Sequence, residues 1–178
     1  MQSGLGANSM SDQPTPFVAA AIGTINHRPT SILDLGCGYG RHALWLAGLG
    51  HSVTAFDIDE QRVLALVRGA PKGSGSVYPV VGDGARDLPF RASSYDLVLV
   101  VHFVPKGLIE LVGPLVRPDG HLLVETFGGL GENWRDLPAP GRFRAELSAA
   151  FDLLDYRERS VGPSKREAVA VKFLGRKR

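Results

Sequence analysis

A single cysteine, Cys37, stands among 178 residues, so no disulfide can close within the chain and a reducing compartment is its natural setting. No run of about 20 apolar residues exists, which excludes a helix that spans a membrane. Residues 1–9 lack the charged start and apolar centre of a secretory signal. With a second methionine following at Met10, they read as an added leader, and the cytoplasm is the expected location. An excess of either charge is lacking as well, since the formal net charge is only +2. The basic residues Lys165, Arg166, Arg176, Lys177 and Arg178 form an end that reads first as a solvated tail and second as a phosphate-contacting patch. There is no internal repeat and no low-complexity tract.

What remains is an ordinary globular composition, 44% hydrophobic and 21% charged, enough to bury one core in one domain. Residues 10–30 read as an N-terminal helical segment, with the helix itself at 17–26, and residues 31–178 as the domain proper. Strand-like apolar stretches follow at 31–35, 52–57, 77–81, 95–103 and 121–127, separated by helix-like segments. The helix over 42–49 is almost wholly apolar, Asp59 is placed to cap the next one, and Val63, Leu66 and Val67 read as that helix's inner face. A third helix through Leu108, Leu115 and Val116 is expected to bend near Gly113 and Pro114. Alternation of this kind implies parallel strands joined by right-handed crossovers. Two last strands, 151–159 and 168–174, have no convincing helix between them and read as an antiparallel hairpin turning at Gly162 and Pro163.

The most informative run is Asp34-Leu35-Gly36-Cys37-Gly38-Tyr39-Gly40, which leaves the first strand and opens the next helix. Glycines at alternate positions let the backbone turn sharply and approach a ligand, and the helix start offers unpaired N–H groups. About 20 residues on, the second strand ends in Asp57, a carboxylate suited to a ribose diol. A dinucleotide site wants its third glycine where this chain has Arg41, so a nicotinamide oxidoreductase is disfavoured.

The segments ILDLGCGYGRHALWLA and HSVTAFDID, followed in order by VVGDGARDLPF, YDLVLVVHFV and LVRPDGHLLVETF, resemble the motifs of class I S-adenosylmethionine-dependent methyltransferases over residues 31–127. The resemblance implies a Rossmann-like, doubly wound α/β fold in a single domain. Its seven-stranded sheet has the order 3-2-1-4-5-7-6, with the last-inserted strand antiparallel. It implies S-adenosyl-L-methionine as cofactor and S-adenosyl-L-homocysteine as product, with no metal. Asp34, Gly36, Gly38 and Gly40 would then surround the methionine end, Asp57 would take the ribose hydroxyls and Ile58 would pack on the adenine. Asp83, Gly84 and Ala85 would read the adenine edge. Arg41 and His42 could reach the cofactor carboxylate or the substrate, or simply begin a helix.

On the acceptor side, residues after the fourth and fifth strands face the crevice where open α/β sheets bind ligands. His102 and Glu125 are the candidates for a base or substrate contact, and Trp134, Arg135 and Arg142 for holding the substrate. Each also has a plain structural explanation. No Asn/Asp-Pro-Pro-Tyr/Phe run follows the fourth strand, as enzymes methylating base amines have, and Cys37 sits in the cofactor turn rather than at an acceptor. A small-molecule acceptor is expected, with neither nucleic acid nor membrane as partner. Compact tellurite-resistance-type methyltransferases are the subgroup that the chain most resembles. The alternative is a catalytically silent protein that binds S-adenosylmethionine as a sensor or partner subunit.

Overall fold

A computed structural model describes residues 13–25, 30–69, 75–86, 88–126, 135, 137–163 and 168–178. Seven strands form one sheet: β1 (Ser31–Leu35), β2 (Ser52–Asp57), β3 (Ser76–Val81), β4 (Tyr95–Val101), β5 (Val116–Glu125), β6 (Phe151–Val161) and β7 (Ala168–Lys177). Their order is β3-β2-β1-β4-β5-β7-β6. The pairs β1–β2, β1–β4, β2–β3 and β4–β5 are parallel, whereas β7 runs antiparallel to both neighbours. The expected doubly wound sheet and terminal hairpin are thus both present.

Helices cover the two faces because each inner strand is apolar at odd and even positions alike, as buried parallel strands require. One face, including Ile32, Val53, Leu99 and Leu123, packs under α1 (Pro16–Ile25) and α2 (Arg41–Gly48). The other, including Leu33, Val100, Val124 and Phe173, packs under α4 (Leu108–Val112) and α5 (Arg142–Ala150). The remaining helix, α3 (Glu60–Gly69), is capped by Asp59, whose Oδ1 accepts from the N–H groups of Gln61 and Arg62 at 3.0 and 3.2 Å. Val63 and Leu66 are its buried residues, but Val67 is 59% exposed, so the inner face is narrower than its apolar spacing suggests.

Several boundaries differ from the sequence reading. The fourth strand stops at Val101 instead of 103, because His102 takes φ 61 and turns the chain. The fifth begins at Val116, earlier than expected: a register shift absorbs the Pro118-Asp119-Gly120 turn, where Asp119 takes φ 60. Val116 therefore belongs to a strand, and the expected bend falls where α4 passes into a 3-10 turn at Gly113–Leu115. Helix α5 was not foreseen. It starts after Gly141 (φ 75) and buries Phe143 and Leu147, four residues apart on one face.

Candidate active site

The carboxyl ends of β1, β2 and β4 enclose a cavity of about 620 Å³. Its wall includes Gly36, Gly38, Asp57, Ile58, Asp83 and Gly84 of the expected cofactor residues, together with Arg41, His42 and His102. Asp34, Gly40 and Ala85 are not on that wall. Gly40 instead lets two helices approach: it has φ 76, and a Cβ there would lie 1.7 Å from Leu66 Cδ2. Ala85 uses its N–H to hold Asp83, whose other oxygen pairs with Arg86 at 2.9 Å.

Asp57 binds the turn to the second strand. Its Oδ2 accepts from the Gly38 N–H at 2.8 Å and its Oδ1 from the Asp59 N–H at 3.0 Å, leaving further lone pairs toward the cavity. Ile58 stands 68% exposed at the rim, an apolar surface without cover from the described residues. Opposite it, Arg62 lies over the Tyr39 ring at 5.4 Å. Both Tyr39 and Arg62 line the cavity, and sequence reasoning missed them because only the fold brings α3 over the glycine turn.

Asp34 is the unusual group. It is 2% exposed, and among the described residues its Oδ2 has no hydrogen-bond partner. Burial, reinforced by the nearby Asp57 charge, raises its pKa to about 7, while the Ala43 backbone and Arg41 pull the other way. A buried acid poised in this manner beside a ligand cavity suits a cationic ligand group. Cys37 is shifted in the same direction: burial and the neighbouring Asp34 and Asp57 push its thiol well above the ordinary range, which removes it as a nucleophile.

At the far side of the cavity sits a polar cluster. The Thr15 N–H donates to His42 Nε2 at 3.4 Å, which leaves the ring proton of the neutral imidazole on Nδ1. Burial, helped by Arg41, lowers the His42 pKa to about 4, so the ring is neutral at pH 7. The Thr15 hydroxyl donates to Glu125 Oε2 and accepts from the Val18 N–H at 3.3 Å, which makes it the N-cap of α1. Glu125 is 5% exposed, and its Oε1 pairs with Lys172 Nζ at 2.8 Å. Both of its oxygens are therefore engaged. The His102 N–H donates to the Glu125 carbonyl at 2.7 Å, and burial lowers the His102 pKa against the pull of Glu125.

His102 also lines a second cavity of about 360 Å³, walled by Glu125, Thr126 and residues of β6 and β7. The structure thus brings His102 and Glu125 together. Of the other substrate candidates, Arg142 pairs with Glu146 at 2.7 Å on an exposed face, Arg135 is exposed and lines neither cavity, and Trp134 lies outside the described residues.

A glycine turn at the first strand, a carboxylate ending the second and a crevice at the carboxyl ends of a 3-2-1-4-5-7-6 sheet define a class I S-adenosylmethionine-dependent methyltransferase. Residues 32–120 match the family described as Methyltransferase domain, and the chain belongs to that family. A 38-residue segment, 21% of this chain and 13% of the relative, is 47% identical to the probable S-adenosyl-L-methionine-dependent methyltransferase TehB of Haemophilus influenzae. Over 122 residues, 63% of this chain and 36% of the relative, it is 33% identical to the tRNA U34 carboxymethyltransferase of Methylococcus capsulatus. The matches therefore span well under half the length of these curated relatives. In fold it resembles the Burkholderia thailandensis 1,6-didemethyltoxoflavin-N1-methyltransferase, solved with its substrate and S-adenosylhomocysteine, with a TM-score of 0.63 and 21% identity, covering 92% of this chain and 77% of that one.

Proposed function

We propose that the protein transfers a methyl group from S-adenosylmethionine to a small-molecule acceptor. The observation that carries this reading is the pair of cavities, about 620 and about 360 Å³, that meet at His102. Both volumes fall in the range of small-molecule sites. Asp57 and Ile58 suit the ribose and adenine of the cofactor, and the buried Asp34, whose Oδ2 has no hydrogen-bond partner among the described residues, suits its ammonium group. Held there, the cofactor would supply a methyl on a sulfonium to the acceptor's lone pair, with the neutral thioether as leaving group. The chain's own work is to align the two reactants and to keep water out of the junction.

Neither histidine is a strong base, and Glu125 already accepts from Thr15 and Lys172. That arrangement supports an acceptor whose nucleophile is unprotonated before it reacts. The likeness to the toxoflavin methyltransferase supports the small-molecule reading. A tRNA acceptor is the second reading, favoured by the likeness to the tRNA U34 carboxymethyltransferase.

Calorimetric titration with S-adenosylmethionine and S-adenosylhomocysteine tests the cofactor. Micromolar binding is expected, weakened more than about tenfold by Asp57→Ala, since hydrogen bonds to a charged group contribute about 1.5–3 kcal/mol. Unchanged affinity in a folded variant defeats the ribose assignment. Turnover on an acceptor panel that includes bulk tRNA then separates the two acceptor readings, and a protein that binds but never turns over is a sensor.

A further inference from the structure

Resting on the methyltransferase reading, we propose that His42 holds the amino-acid carboxylate of S-adenosylmethionine through its Nδ1–H, with Arg41 as the second donor. The docking of α1 through Thr15 fixes the ring for this task. Cofactor binding and the docking of that helix therefore strengthen one another.

One ring nitrogen of His42 is taken and the other is open. Nε2 accepts from the Thr15 N–H at 3.4 Å, so the proton of the neutral ring sits on Nδ1. That Nδ1–H has no acceptor among the described residues, yet it is not one of the sealed polar atoms that lack a partner. The side chain is 5% exposed and belongs to the wall of the first cavity, so the cavity is what opens onto it. A donor fixed in such a place calls for an acceptor atom on a ligand. Arg41 lines the same wall, half-buried, and makes no ion pair among the described residues.

Position along the cavity names the group that His42 meets. Asp57, Ile58, Asp83 and Gly84 suit the nucleoside, which leaves the end near Arg41, His42 and His102 for the amino acid. Ammonium and carboxylate sit on one carbon of that amino acid, so an ammonium at Asp34 brings the carboxylate beside it. The Arg41 charge acts on Asp34, His42 and His102 alike, which places the guanidinium among them. Arg41 and His42 also open α2, where the helix dipole favours a negative group. The methyl acceptor is a poorer fit. His42 is absent from the wall of the second cavity, and a donor on the nucleophile would engage the lone pair that has to attack.

Thr15 links this site to the first helix. Its N–H meets His42, its hydroxyl donates to Glu125 Oε2, and the same hydroxyl caps α1. Behind the cap, Phe17, Val18, Ala21 and Ile22 bury the helix against the sheet. When Nδ1–H donates to a carboxylate, electron density moves toward Nε2 and makes it a stronger acceptor, so the Thr15 N–H is held more tightly. Linkage makes the effect reciprocal: a docked helix that fixes the ring raises the affinity for the carboxylate by the same factor. Thr15 is thus a positioning residue that acts through His42.

The test uses the full chain with S-adenosylhomocysteine and with S-adenosyl-3-thiopropylamine, which keeps the ammonium and lacks the carboxylate. Binding of S-adenosylhomocysteine by the unaltered protein is measured first, and its absence overturns the methyltransferase reading itself. Calorimetry is expected to show it bound at least about thirtyfold more tightly than the amine, since each hydrogen bond to a charged group is worth about tenfold. His42→Leu should cut that preference about tenfold, whereas His42→Asn, whose amide N–H can stand where Nδ1–H stands, should keep it within about threefold. In the unaltered protein, hydrogen exchange at the Thr15 amide should slow at least about threefold with S-adenosylhomocysteine but not with the amine. Equal binding of the two ligands by the unaltered protein, a full preference in His42→Leu, its loss in both variants alike, or equal Thr15 exchange with both ligands overturns the proposal. Should either variant fail to fold, the two measurements on the unaltered protein decide.

Discussion

Asp34 makes cofactor affinity depend on pH in a direction that can be worked out beforehand. Its carboxyl is raised from 3.8 to about 7 chiefly by burial. That difference corresponds to about 4 kcal/mol disfavouring the charged form. Because the folded-state pKa lies above the unfolded one, the stabilisation it gives the unliganded protein is full below about pH 4 and is lost as pH rises through about 7. A bound ammonium reverses the balance, since it favours the ionised acid. Binding must then release a proton below neutral pH, and affinity must rise with pH until the acid is ionised in the free protein as well. Between about pH 5.5 and about pH 8 the ionised fraction grows about thirtyfold, and so should the association constant for S-adenosylhomocysteine. Calorimetry in buffers of different ionisation enthalpy reads both the affinity and the proton released. The Asp34→Asn variant should bind more than about tenfold more weakly at about pH 8, follow a flatter pH profile, and gain heat stability relative to the parent above about pH 7. His42, held down to about 4, titrates below this window. An affinity independent of pH in the parent, or the same slope in the variant, refutes the pairing of Asp34 with the ammonium.

Gly40→Ala should cost about 2–4 kcal/mol in urea unfolding, because the new methyl meets Leu66 Cδ2 at a backbone angle that favours glycine; adding Leu66→Ala should relieve the clash but not the angle. Thr15→Val removes the cap of α1 and the hydroxyl that holds Glu125. A loss of about 1–3 kcal/mol by thermal melting is expected, against no loss if the N-terminal helix docks without that contact.

Most elements were legible because apolar strands with caps and glycines between them obey local rules, whereas the sheet order followed only from the resemblance to a family. Asp59 capped its helix and Gly113 marked the bend, as their chemistry dictates. Helix α5 escaped notice because only Phe143 and Leu147 are buried along it, too few to stand out from the polar residues around them. Val67 was assigned inward on spacing alone, yet the helix offers the sheet a narrow stripe. The first cavity could be anticipated from the glycine turn and Asp57, since backbone conformation and a strand end are written locally. Lys172, Arg157 and Arg159 could not. Charged residues along an outer strand look the same whether they meet solvent or a ligand, and only the pairing of three strands brings Glu125, Lys172 and Arg157 into one row.

The hairpin of β6 and β7 runs past the end of β5, to Val161 and Ala168, and this bears on how such a protein can change. The cavity that suits the cofactor is lined entirely by residues between Gly36 and Phe103, whereas the second cavity draws all but His102 from Glu125 onward. The linings of the two cavities thus come from successive stretches of the chain and share one histidine. Substitutions along the outer strand can reshape the second cavity while every residue of the first stays as it is.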